Sequence, residues 1–341
     1  MCPRGEIGRH KGLKILALLG VPVRVWPRAP HKSLISMKKK KIYNKNLRIA
    51  VHIPYYFDPK KKRQQKYFDK VCKSFLTFSN KTKIFVHTNI KREDKKNIKF
   101  INYTFRNDHP YKLTWYPRKL MKKQKNIFDI FIYCEDDIFF TKKNFTYWLE
   151  NKNMCLKHNY NLGFLRVEKN KKDKALYTAD QIEKSKYFVK ILSKKYLVIS
   201  NPHCPVWIYD KKEFNEFIKT KFYKFDWKWV TKSGILLIRE MASHGWYGTD
   251  MNGIDMNRYK ATIIPMNNQK LDKNSFVRHL PDTYCNNPAG LFGTFKVKDI
   301  IEKKLIRFIP NTLFDRFIKR TKFLLYYYSR INLKKYIKIY K

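Results

Sequence analysis

Glu135-Asp136-Asp137 sets three carboxylates side by side, directly after the apolar run Phe128-Asp129-Ile130-Phe131-Ile132-Tyr133-Cys134. Adjacent carboxylates repel one another, so such a triplet calls for a cation or hydrogen-bond donors nearby. Their hard oxygens suit Mg²⁺ or Mn²⁺, ions that in turn hold phosphates. The apolar run reads as a buried strand, and in an open α/β sheet ligands gather beyond the carboxyl ends of strands. The plain alternative is a helix N-cap followed by acids that the helix dipole favours. The surrounding charge makes the triplet conspicuous: 75 Lys and Arg stand against 27 Asp and Glu, a net charge of +48.

A triplet of this kind needs a framework to hold it. Leu47–Ile53 reads as a buried strand, Lys61–Thr77 as a helix with Tyr67, Phe68, Val71 and Phe75 on one face. Strands follow at Lys83–Thr88 and Phe100–Tyr103, then a helix at Leu113–Lys125 and the motif strand at 128–134. Further on come a strand at Leu162–Val167 and short strands near Tyr196–Ile199 and Pro205–Tyr209. Helices at Lys211–Lys219 and Val230–His244 and a last strand at Tyr259–Ile264 complete the pattern, with 266–294 irregular. Strands alternating with helices imply an α/β fold whose mixed, mainly parallel sheet carries helices on both faces.

The segment Phe128–Phe140 resembles the metal-binding segment of GT-A-fold glycosyltransferases, which carry an Asp-x-Asp-type motif after a buried strand. The resemblance spans about residues 46–295 and implies a GT-A-like domain there. It makes Asp137 the metal ligand, with Glu135 in place of the family's first Asp and Asp136 near the sugar or ribose. His52, Pro54 and Tyr55 end the first strand, where the family places its nucleotide; Arg118 lies in a Trp/basic segment before the motif strand. His279, in Phe276-Val277-Arg278-His279-Leu280, fits the family's late metal ligand, and an imidazole favours Mn²⁺ over Mg²⁺. The implied reaction moves a sugar from a nucleotide-sugar donor to a glycan or lipid-linked acceptor, as in surface polysaccharide or lipopolysaccharide synthesis. Such transfer needs charge stabilisation on the leaving diphosphate and, for inversion, a carboxylate base. Glu240 is the first candidate base, with Asp250 and Asp255 next. His203 and Trp207 are candidates to meet the acceptor, and the loop Asn286–Gly293 to close over the nucleotide.

The ends differ from this middle. Residues 1–36 hold no Asn, Tyr or Phe. They read as a non-native leader, such as a translated tRNA-Leu gene ahead of a start at Met37, or as a disordered basic leader. Residues 37–45 are a basic start. Residues 296–341 read as a basic amphipathic helical tail, suited either to an anionic membrane surface or to packing on the domain. No uncharged apolar run reaches the ~18 residues of a spanning helix. Six cysteines without a Cys-x-x-Cys pair argue against a zinc ribbon and favour a reducing compartment. A cytoplasmic protein, peripheral on the inner membrane face, is the resulting expectation. Charge and aromatics also fit a nucleic-acid-binding protein, but no recognition module is present. A metal-dependent phosphotransferase is the other rival, without a Gly-x-x-x-x-Gly-Lys loop to support it.

Overall fold

The apolar run that begins at Leu47 becomes β1 (Ile49–Tyr55), every residue of which is buried. The computed structural model describes residues 46–105, 109–224, 238–246, 260–287, 292–309 and 321. β1 leads through α1 (Lys62–Leu76) to β2 (Thr82–Thr88) and β3 (Ile98–Asn102). A 3-10 turn (Pro110–Thr114), α2 (Pro117–Lys123), β4 (Ile130–Cys134) and β5 (Ile138–Phe139) follow. α3 (Lys142–Lys157) then opens on a capping box in which Thr141 and Asn144 satisfy each other's backbone N–H groups. Short strands β6 (Asn161–Leu162), β7 (Leu165–Lys169) and β8 (Leu176–Thr178) precede the hairpin β9 (Ser185–Ile191) and β10 (Lys194–Val198). β11 (Val206–Asp210), α4 (Lys211–Phe217), α5 (Ile238–Ser243) and β12 (Thr262–Asn267) come next. β13 (Lys270–Leu271), β14 (Phe276–His279), α6 (Thr283–Asn286) and β15 (Ile301–Arg307) end the described elements.

The protein is α/β with mixed sheets. The first sheet runs β11-β4-β1-β2-β3, parallel except for the edge strand β11. Alternation along its strands covers both faces. Ile49, Val51, Ile53, Ile130 and Ile132 join α1 and α3 in one core, where Phe68, Val71, Cys72 and Phe75 recur at i, i+3, i+4 and i+7. Ala50, Phe131 and Tyr133 face the other way, against Met121 of α2 and Phe214 and Phe217 of α4. Each large apolar side chain buried this way stabilises the fold by roughly 2 kcal/mol. A second sheet runs β13-β12-β10-β9-β15 with β6 on β12, and a third runs β5-β14-β7-β8.

Three expectations are corrected. The stretch 266–294 is not irregular throughout, because β14 and α6 form inside it. The strand expected to be last is β12, with three further strands after it. Ile301–Arg307, expected in a helical tail, is a strand paired parallel to β9, and its Ile301 and Leu305 pack on a core containing Ile300. The leader 1–36, the basic start 37–45 and residues 310–320 and 322–341 of the tail lie outside the described residues. Among the described residues no helix is long and apolar enough to cross a membrane.

Candidate functional site

β2 and β3 lie on one side of β1 and β4 on the other, so the strand order reverses between β1 and β4. A crevice opens beyond the carboxyl ends of the strands at such a reversal, and ligands of α/β sheets bind there. Glu135-Asp136-Asp137 leaves β4 at that point. The Glu135 N–H donates to the Pro205 carbonyl at 3.1 Å, and the Ile138 N–H to that of Glu135 at 3.3 Å, closing a turn. Gln64 of α1 donates through Nε2 to Asp136 Oδ2 at 2.8 Å.

Strand register brings His279 to this turn. β14 pairs antiparallel with β5, His279 opposite Ile138, and parallel with β7, Arg278 opposite Val167. The Leu280 N–H donates to the Asp137 carbonyl at 2.9 Å. His279 is thereby held between two carboxylates. Its Nδ1 hydrogen-bonds Glu168, and its Nε2 lies 3.4 Å from Asp137 Oδ2. Glu168 is fully buried and also accepts from the Cys285 N–H at 2.7 Å. Burial would lower the His279 pKa, but the bonds to Asp137 and Glu168 outweigh it and raise it to about 9. Burial pushes Asp137 up, but the bond and charge of His279 hold it below the usual carboxylate range. The neighbours shift the other way: burial, then the charge of Asp137, raises Glu135 to about 8 and Asp136 to about 7.

α5 contributes the next layer. Arg239 and Glu240 act on Glu135 with opposite sign, Arg239 lowering its pKa and Glu240 raising it. Glu240 Oε2 is buried without a hydrogen-bond partner. Arg239 rests over the Tyr111 ring of the 3-10 turn, 4.6 Å from its centroid. A buried string reaches α5 from behind. Arg166 Nε donates to Asp180 Oδ2 at 2.7 Å, and Asp180 Oδ1 meets His203 Nδ1 at 3.0 Å. His203 Nε2 meets Ser243 Oγ at 3.1 Å. The order serine, histidine, aspartate is that of a nucleophile relay. Here Ser243 has no exposed surface and its Oγ donates to the Glu240 carbonyl at 2.9 Å, so the string anchors the helix that carries Glu240.

The sequence-based candidates divide accordingly. Glu135, Asp136, Asp137, Glu240 and His279 come together; Asp250 and Asp255 lie outside the described residues. Others are corrected. His52 is fully buried, its Nδ1 3.0 Å from His87 Nε2 and its Nε2 3.0 Å from Gln124 Oε1. Pro54 is enclosed in β1, and Tyr55 stacks on Phe68 while its hydroxyl donates to Gln65. Arg118 spends its Nη atoms on the carbonyls of Phe222, Tyr223 and Ala242, so it ties segments together and does not meet a donor. Trp207 has no exposed surface and stacks on Tyr133, which removes it from an acceptor site. His203 belongs to the anchoring string.

Sequence reasoning missed Gln64, Arg166, Glu168, Asp180, Arg239 and Ser243. A signal for two of them existed: in Leu165-Arg166-Val167-Glu168 the charges alternate with apolar residues inside a buried strand, so both point to one face. No protein-family model matches the chain, and no curated protein matches its sequence.

Proposed function

We propose that the protein is a metal-dependent glycosyltransferase of the GT-A type, moving a sugar from a nucleotide-sugar donor to a glycan or lipid-linked acceptor. The observation that carries this reading is the delivery of His279 Nε2 to Asp137 at the strand-order reversal of a mainly parallel sheet. Metal-binding histidines typically hand their second nitrogen to a carboxylate, as His279 does to Glu168. Among the described residues no group of three His, Cys, Asp or Glu side chains is arranged to hold a metal ion as it stands. The donor chemistry nevertheless fits Mn²⁺ or Mg²⁺, which take one or two protein ligands and complete their shell with water and substrate phosphates. Asp137 and His279 would hold the ion, with Glu135 beside them. Burial, then the charge of Asp137, raises Glu135 and Asp136, and a cation beside them would favour their charged forms.

When bound, the ion supplies charge stabilisation to the departing diphosphate. The chain's own residues do the rest. Arg239 adds a fixed positive charge beside Glu135. Glu240, with one carboxylate oxygen unpartnered, accepts the proton of the attacking hydroxyl. The anchoring string from Arg166 to Ser243 keeps that carboxylate in place, and placement within a fraction of an ångström is what makes such a base effective.

The test is thermal stability of the full chain with UDP-, GDP-, CMP- and dTDP-sugars, with and without Mn²⁺. A ligand bound only by the native state raises apparent stability by about 2.7 kcal/mol at a hundredfold excess over Kd. A Mn²⁺-dependent shift with one nucleotide class, followed by release of that nucleotide on adding acceptor, is the expected result. Transfer of phosphate in place of sugar would replace this reading with a phosphotransferase.

A further inference from the structure

Away from the carboxylate turn, the 3-10 turn and α2 frame a hollow of about 550 Å³, within the size range of small-molecule sites. Its wall is basic and aromatic, formed by Lys112, Lys119, Lys122 and Lys224 with Trp115 and Tyr116, and among the described residues no acidic side chain lines it. Lys119, Lys122 and Lys224 are exposed. Arg118 lines the same hollow at 3% exposure, and its Nε has no hydrogen-bond partner. Its guanidinium sits 4.1 Å from the Trp115 ring centroid, with carbonyls and no carboxylate as its hydrogen-bond partners. Burial lowers its pKa to about 10, the expected response of a buried cation without a counter-ion.

A buried guanidinium hydrogen-bonded only to carbonyls, lining one hollow with three exposed lysines, is a deficit of negative charge. We propose that this hollow is a second ligand site, which binds a small molecule bearing a phosphate or diphosphate group. The phosphate meets Lys119, Lys122 and Lys224, and the uncharged remainder lies in the hollow between them. The site is separate from the carboxylate turn: the 3-10 turn lies between them, its Tyr111 under Arg239 and its Lys112 on the hollow. The inference does not depend on the transferase reading.

The test is calorimetric titration of the full chain with inorganic pyrophosphate in metal-free buffer. One saturable site is expected in the wild type, weakened at least tenfold in the double variant K119E/K122E. Both lysines are exposed, so the melting temperature should change little. Asp137→Ala should bind as the wild type does, which separates this site from the metal turn. The control is K303E/K304E, an equal charge change on exposed residues of β15. Equal weakening by that control would show that net charge alone attracts the anion and would overturn the proposal. So would unchanged binding in K119E/K122E. Displacement of pyrophosphate by glucose 1-phosphate supports the site and assigns a soluble sugar phosphate; displacement by phosphatidic acid vesicles supports it and assigns a lipid headgroup.

Discussion

Two histidine clusters lie buried on strands of this protein, and they behave in opposite ways. Among the described residues, the hydrogen-bond partners of His52 and His87 are each other, Gln124 and the Tyr103 hydroxyl. Burial lowers His52 to about 3 and His87 well below its ordinary value. Both are neutral core groups. His279 is as well enclosed, yet two carboxylates raise it to about 9. Burial alone therefore does not set the charge of a histidine; the charge of its partners does. Asp137 and Glu168 give His279 a fixed orientation and an electrostatic role, while His52 and His87 only complete a polar seam in a hydrophobic face.

The contrast can be broken most sharply at Asp137. Asp137→Ala should lower sugar transfer by about 10³-fold or more, the scale seen when a group that stabilises developing charge is lost. The melting temperature should stay near that of the wild type, because the side chain is not part of a core. Full activity would remove Asp137 from the chemistry. Glu168→Gln keeps the shape and the bond from Cys285 but withdraws the charge behind His279. It should weaken Mn²⁺ binding by about 10- to 100-fold in a direct titration. Unchanged affinity would make His279 as inert as His52.

The opposite cluster predicts a pH effect on stability. His52 binds a proton near 6.5 when unfolded and near 3 when folded. Between those values the unfolded state holds more protons, so stability is complete above 6.5 and falls as pH is lowered toward 3. The slope from this group is at most about 1.4 kcal/mol per pH unit. His52→Gln should flatten that slope in urea melts taken from pH 7 to 4; an unchanged slope would place the titration elsewhere. The smallest effect is expected for Tyr103→Phe, which removes the hydroxyl 2.9 Å from His87 Nδ1. A loss of about 1 kcal/mol with no change in Mn²⁺ affinity would confine that seam to structure.

The first four strands and the place of the carboxylate turn were readable because their signals are local. Apolar runs at 49–55, 82–88 and 130–134 declare buried strands, and a carboxylate triplet after such a run declares itself. His52 and Arg118 were misassigned because a position at a strand end or beside a tryptophan does not reveal which face is covered. Glu168 and Asp180 were missed because their partners stand far along the chain, at His279 and His203. Register decides those meetings, and register is set by tertiary packing. β15 escaped notice because Ile301-Glu302-Lys303-Lys304-Leu305-Ile306-Arg307 shows the mixed spacing of an edge strand, which charge makes look helical.

That strand has a further consequence. β15 closes the open side of β9, and its lysines are the kind of residue that discourages a sheet edge from recruiting another strand. A chain cut at residue 295, where composition alone would end the domain, would leave β9 bare, with Tyr187, Phe188 and Val189 in line along it. Two such chains could satisfy each other edge to edge. The cut would therefore show itself first as self-association and precipitation, in a protein whose net positive charge should otherwise keep its molecules apart.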